Sequence, residues 1–117
     1  MPEAEWNHLL DIFSVDELAG LLNISPASLR RYASKTVGTR RPTPNVVAAR
    51  LHFLTLVVDA LSGGYNDFGV RRWFERTRTQ LDGRSPDDLL RDNWAPEQDG
   101  PRRVWSLAEQ LATAGAT

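Results

Sequence analysis

The chain has 117 residues, 41% of them hydrophobic and 25% charged, and a formal net charge of −1 at neutral pH. That composition is ordinary for a soluble globular protein and allows one compact domain or two small lobes sharing a core. With no cysteine and only two histidines far apart, disulfides, thiolate metal sites and a self-sufficient zinc cluster are excluded, and no cofactor is expected.

No apolar run approaches the ~20 residues of a membrane span, and the acidic start lacks the basic and apolar pattern of a secretory signal. The expected compartment is therefore the cytoplasm. Residues 1–13 begin loosely and then read as a short amphipathic helix, with Trp6, Leu9, Leu10 and Phe13 at helical spacing. His8 falls on its solvent side.

Residues 13–35 organise the chain. Ser14 and Glu17 have the S-x-x-E spacing of a capping box, and Val15, Leu18, Ala19 and Leu22 recur at helical spacing. Asn23 tolerates the left-handed backbone of a tight turn. Ser25 can then cap a second helix, with Pro26 at its first position. Ala19 is small where two crossing helices must approach closely. Leu18, Leu22, Ile24, Leu29 and Tyr32 form the expected buried set. Ala27, Arg30, Arg31 and Ser34 fall on the opposite side of the second helix.

This pattern resembles the DNA-binding helix-turn-helix, whose second helix enters the major groove. It departs from the usual pattern at Asn23, where that family favours glycine. The resemblance implies DNA contact through Ser25, Ala27, Ser28, Arg30, Arg31, Ser34 and Lys35. An ordinary αα-hairpin with an arginine-rich solvent face fits the same residues. Charge is concentrated here too. Within residues 14–50, Arg30, Arg31, Lys35, Arg40, Arg41 and Arg50 stand against only Asp16 and Glu17. Such a segment suits a polyanion.

Residues 35–43 read as a loop punctuated by Gly38 and Pro42. Arg40 and Arg41 there are candidate phosphate contacts, which need only charge and reach, or simply solvated side chains. The longest helix is predicted from Pro44 to Leu61, with Thr43 as its cap, and would span ~27 Å. Its apolar surface is wider than one stripe, so it should lie centrally or across a dimer interface. His52 falls on its less apolar edge. Ser62, Gly63 and Gly64 end it.

A further helix is predicted from Asn66 or Asp67 through Arg78, with Val70, Trp73, Phe74 and Thr77 on one face. The arginines around it read best as apolar stems lying beside a packed tryptophan. Ser85 and Pro86 open another helix, and Asp87 and Asp88 suit its positive end. Leu89 and Leu90 should face inward. Residues 92–101 form a polar loop in which Trp94 needs a surface to lie on. A closing helix runs from about Arg102 to Ala114, with Val104, Leu107, Ala108 and Leu111 inward and Trp105 at the border. The last residues, 115–117, read as a small, neutral, flexible tail.

The order of the C-terminal half resembles a known family. Trp73-Phe74 is followed by Leu81-x-Gly83-Arg84-Ser85-Pro86-x-x-Leu89-Leu90, a polar loop, and an amphipathic helix from Val104 to Leu111. This is similar to the toxin-binding domain of Xre/MbcA/ParS-like antitoxins, which follows a helix-turn-helix half. The resemblance implies an all-α fold in three parts: an N-terminal helix and helix-turn-helix lobe (1–43), a long connecting and dimerising helix (44–64), and a C-terminal toxin-binding lobe (65–117). It implies a type II antitoxin that occludes a RES-domain, NAD-consuming toxin and represses its own operon as a homodimer. Trp73, Phe74, Leu81, Pro86, Leu89, Leu90, Trp94, Trp105, Leu111 and Ala114 are the residues it assigns to toxin binding. Some of them must instead build the lobe's own core. The family's C-terminal end, about residues 112–117 here, lies at the toxin's cleft. A stand-alone regulator that uses this half only to dimerise is the alternative. No nucleophile–base pair, metal cluster or phosphate loop is present, so an enzyme is not expected.

Overall fold

The computed structural model describes residues 2–115. Its helices are α1 (Glu3–Leu10), α2 (Val15–Leu22), α3 (Pro26–Ala33), α4 (Asn45–Leu61), α5 (Asp67–Glu75), α6 (Pro86–Leu89) and α7 (Asp99–Gly115). A 3-10 turn covers Thr79–Leu81, and the sole pairing of strand type among the described residues is an isolated bridge between Arg78 and Arg84. The fold is all-α. No helix among the described residues is long and apolar enough to cross a membrane.

Local chemistry explains most helix ends. The Ser14 hydroxyl accepts from the Glu17 amide at 3.1 Å while Glu17 Oε1 accepts from the Ser14 amide at 2.8 Å, so both halves of the capping box are closed. Asn23 ends α2 at φ 57°, ψ 49°, and Ser25 then caps α3 by accepting from the Ser28 amide at 3.0 Å. Leu18, Leu22 and Leu29 are fully buried, while Ile24 and Tyr32 are half-buried at the edge.

Three boundaries differ from the sequence reading. Helix α4 starts at Asn45, with Pro44 in the cap position and no side-chain cap. Thr43 is not the cap because its hydroxyl accepts from the Trp6 indole at 3.2 Å. Helix α5 stops at Glu75, short of Arg78. There the chain turns extended so that the Arg78 amide can donate to the Arg84 carbonyl at 3.0 Å and the Gly83 amide to the Arg78 carbonyl at 2.8 Å. Gly83 sits at φ +79°, which favours glycine in that turn. Thr77 consequently lies exposed beyond α5. Helix α7 begins at Asp99, three residues early, because Pro101 fits its first turn and Asp99 suits its positive end. It continues to Gly115. Ala116 and Thr117, read as part of a tail reaching a toxin cleft, lie outside the described residues.

One contiguous core joins the segments that the sequence divides into three. It contains Trp6 and Leu9 of α1, Leu18 and Leu22 of α2, Leu51, Leu54, Val58 and Leu61 of α4, Trp73 and Phe74 of α5, and Val104 and Ala108 of α7. Phe13 and Phe74 meet edge to face at 5.7 Å between ring centroids. Each buried valine, leucine or phenylalanine among them contributes about 1.5–3 kcal/mol relative to exposure. Helix α4 is covered by α1, α2 and α7. Its remaining face carries the exposed Val46 and Leu56.

Candidate nucleic-acid and protein interfaces

The inner face of α3 is anchored by Leu29 in the core and by Tyr32 stacked on Trp6 at 6.5 Å. That orientation turns Ser25, Ala27, Arg30 and Arg31 outward, all exposed. Ser28 is half-buried, and its hydroxyl accepts from Ser25 at 3.0 Å and from Arg31 Nη2 at 3.2 Å. A polar network therefore runs along the start of α3. At its far end the Arg41 amide donates to the Arg31 carbonyl at 3.1 Å, folding the loop back onto the end of α3. Ser34 and Lys35 follow the helix, and the Ser34 hydroxyl accepts from the Thr36 amide at 3.2 Å.

Two arginines of this basic segment differ from the rest. Arg40 donates to the Ser34 carbonyl at 2.8 Å and pairs with Glu3, so its charge is already matched. Arg50, counted with the patch from sequence, is only 4% exposed. Its Nε donates to the Trp94 carbonyl at 2.7 Å and its Nη1 to the Leu22 carbonyl at 3.0 Å. Arg50 therefore faces inward and is unavailable to a polyanion. Burial lowers its pKa from the ordinary arginine value. No ion pair among the described residues engages Arg30, Arg31, Lys35 or Arg41.

Arg50 is the centre of a joint between the two halves. Trp94 lies under its guanidinium at 5.6 Å, meets Phe53 edge to face at 5.4 Å, and donates its indole N–H to the Leu21 carbonyl at 2.9 Å. The Asn23 side chain donates to the Asp92 carbonyl at 2.6 Å. The last carbonyls of α2, which have no partner inside the helix, are thus satisfied by side chains from α4 and the C-terminal loop. The surface that Trp94 needs is this joint.

Compared with known proteins, the chain matches no family model, no curated protein and no solved structure.

Among the residues that the resemblance assigns to toxin binding, Trp73, Phe74, Leu81, Pro86, Leu90 and Trp94 are buried in the chain's own core. They build the fold, and of them Phe74 and Leu90 also line a concave surface. Leu89, Trp105 and Leu111 are half-buried, and Ala114 is exposed. Those four are what the set leaves at the surface, on α6 and α7. Trp73 packs against Phe74 at 5.2 Å, with the Arg78 guanidinium 5.0 Å from its ring. Burial also lowers the pKa of Arg78. The two histidines, both exposed, each meet a carboxylate across α1 and α4, His8 with Asp59 at 3.2 Å and His52 with the half-buried Glu5 at 2.8 Å.

A concave surface that the sequence reading missed lies where α2 meets α5 and α6. It is lined by Phe13, Leu21, Phe74 and Leu90, with Glu75 and Asp92 at its edge. Nothing local in the sequence marked it, because with the helix expected to run on to Arg78, Glu75 falls inside it and not at its end.

Proposed function

We propose that this chain is a type II antitoxin that binds and occludes a RES-domain, NAD-consuming toxin and represses its own operon through α3. The observation that carries the DNA-binding half is the outer side of α3, where Arg30 and Arg31 stand exposed without a carboxylate partner beside the serines at the helix start. Arginine reads guanine edges in the major groove, and small hydroxyl side chains contact bases or phosphates. Lys35 and Arg41 flank that helix as phosphate contacts. The chain acts as a homodimer, because operators recognised this way usually have two-fold symmetry. Exposed Val46 and Leu56 on α4 give that dimer an apolar face.

The toxin-binding half rests on the order of motifs from Trp73 to Leu111. Its contact surface draws on the half-buried Leu89, Trp105 and Leu111 and the exposed Ala114. Co-expression with each adjacent open reading frame, followed by size-exclusion chromatography, tests it. A stable complex is expected, and its released partner should consume NAD until this chain is restored. Clean separation of the two proteins would sink the antitoxin reading. The burial of Trp73, Phe74 and Trp94 favours one alternative, because it leaves Trp105 as the one large aromatic of the assigned toxin-binding set at the surface. In it the chain is a stand-alone regulator, and operator binding without any partner is its signature.

A further inference from the structure

The concave surface between α2 and the α5–α6 segment has a volume of about 460 Å³. This is within the range of pockets that hold side chains or small ligands. Phe13, Leu21, Phe74 and Leu90 give it an apolar floor. Asp16, Glu17, Glu75, Asp87 and Asp92 stand around the rim. The two cations beside it are already engaged. Arg71 donates to the Ile12 carbonyl at 2.7 Å, and Arg91 pairs with Asp88 at 2.9 Å.

Part of the rim has a local explanation. Asp16 and Glu17 lie in the first turn of α2, Glu17 closes its capping box, and Asp87 accepts from the Ser85 hydroxyl at the start of α6. Glu75 has none. It is the last residue of α5, where a carboxylate opposes the helix dipole. Asp92 sits at φ 56° in a loop, a left-handed conformation that aspartate tolerates, which accounts for the residue type without pairing its charge. Neither has an ion-pair partner among the described residues. Both bring negative potential to a lining whose five carboxylates outnumber its two guanidiniums, over an apolar floor.

We propose that this cleft docks a cationic segment of a partner protein. Arginine or lysine side chains of that segment lie against Glu75, Asp92 and Asp16, and one aliphatic side chain enters between Leu21 and Leu90. Charge complementarity at the rim sets the partner's sign, and burial on the floor holds it in register. A second copy is a poorer occupant. Inserting the basic α3 side of one copy into the cleft of the next joins two different surfaces, which builds a ring or an open filament and not a two-fold dimer. The proposal stands apart from the toxin and operator readings.

The test uses the full chain and two labelled peptides, LRKLLRK and its anionic counterpart LEELLEE, followed by fluorescence anisotropy and amide NMR. The cationic peptide is expected to bind saturably and to shift the amides of Leu21, Glu75 and Asp92. The anionic peptide should not bind. Glu75→Lys is expected to weaken binding by at least ~10-fold with a melting temperature no lower than the parent's, since it replaces a charge the helix end disfavours with one it favours. Asp92→Asn, close in shape, provides a second variant and should weaken binding ~3-fold. Failure of the cationic peptide to bind would overturn the proposal. So would shifts confined to other surfaces, or affinity unaffected by both variants. Self-association of the free chain that Glu75→Lys abolishes would also overturn it, in favour of a second copy as the occupant.

Discussion

The outer side of α3 and the joint at Arg50 use the same chemistry for opposite ends. Arg30 and Arg31 hold their charge in water beside serine hydroxyls. Arg50, on the neighbouring helix, is buried with its donors on the Leu22 and Trp94 carbonyls and its plane near the Trp94 ring. The difference lies in what surrounds each guanidinium. Arg50 faces the end of α2, whose carbonyls need donors, and it meets a loop that delivers a tryptophan to the same place. No such acceptor faces Arg30 or Arg31. The first region is therefore open to a ligand, and the second fixes how α2 and its turn sit on the rest of the molecule.

Breaking the joint should have the largest effect. Arg50→Ala leaves the Leu22 and Trp94 carbonyls short of donors and opens a void beside the Trp94 ring. Hydrogen bonds to a charged donor contribute about 1.5–3 kcal/mol each, and their losses overlap at one site. A destabilisation of about 4 kcal/mol is expected in urea unfolding, a large share of a small domain's total. A loss below about 1 kcal/mol would mean that Arg50 is no more structural than Arg30. Trp94→Phe sharpens the same point. It keeps an aromatic ring near Phe53 but removes the donor to the Leu21 carbonyl. A cost of about 2 kcal/mol is expected, in line with an unpaired buried carbonyl plus lost ring area.

On the open side, the readout changes from stability to binding. Arg31→Ala should leave unfolding within about 0.5 kcal/mol of the parent, as exposed substitutions generally do. Its specific DNA affinity should fall by about 1–2 kcal/mol. Arg41→Ala should instead weaken binding to all sequences and reduce its salt dependence. Titration of a selected duplex at two salt concentrations separates the two. If neither variant changes affinity, α3 is not a reading helix and its arginines are a solvated face.

The same comparison shows how far the sequence was legible. The α2–turn–α3 unit could be read because its signals are local: Ser14 with Glu17, a left-handed Asn23, and Ser25 before Pro26 act within a few residues. The α5 end could not, because it depends on the Arg78–Arg84 pairing across a turn. Thr43 looked like a cap until Trp6, far off in sequence, claimed its hydroxyl. Arg50 looked like part of a basic patch for the same reason, since its partners lie on α2 and in the loop after α6. The split of the C-terminal aromatics into core and surface also required the fold, because helical spacing assigns a face without saying what covers it. Of the proposed α3 interface, the exposed residues were all visible in the sequence. The acidic cleft was not, because Glu75 opposes a helix dipole only once α5 stops short of Arg78.

The smallest expected effect lies next to the joint, at the start of α6. Asp88 accepts from the Ser85 amide at 3.1 Å and from Arg91 at 2.9 Å. The backbone hydrogen bond from Ser85 is the leading cause of a pKa held below the usual carboxylate value, and the Ser85 side chain and Arg91 push the same way. A folded-state pKa below the unfolded one means that the ionised carboxylate stabilises the fold. That stabilisation is fully present above the unfolded pKa, near ~4, and is lost as pH falls through the lower folded pKa. Asp88→Asn removes the charge while keeping an oxygen for the Ser85 amide. It should therefore reduce stability slightly at pH 7, and the difference from the parent should shrink once the solution is acidified below the folded pKa. Urea unfolding of both proteins across that range checks the sign. A gap that stays constant with pH would assign the role of Asp88 to shape alone. A gap that closes in acid would show that α6, the short helix before the Trp94 loop, is held by charge, whereas the Arg50 joint is held by buried donors that do not titrate in the same range.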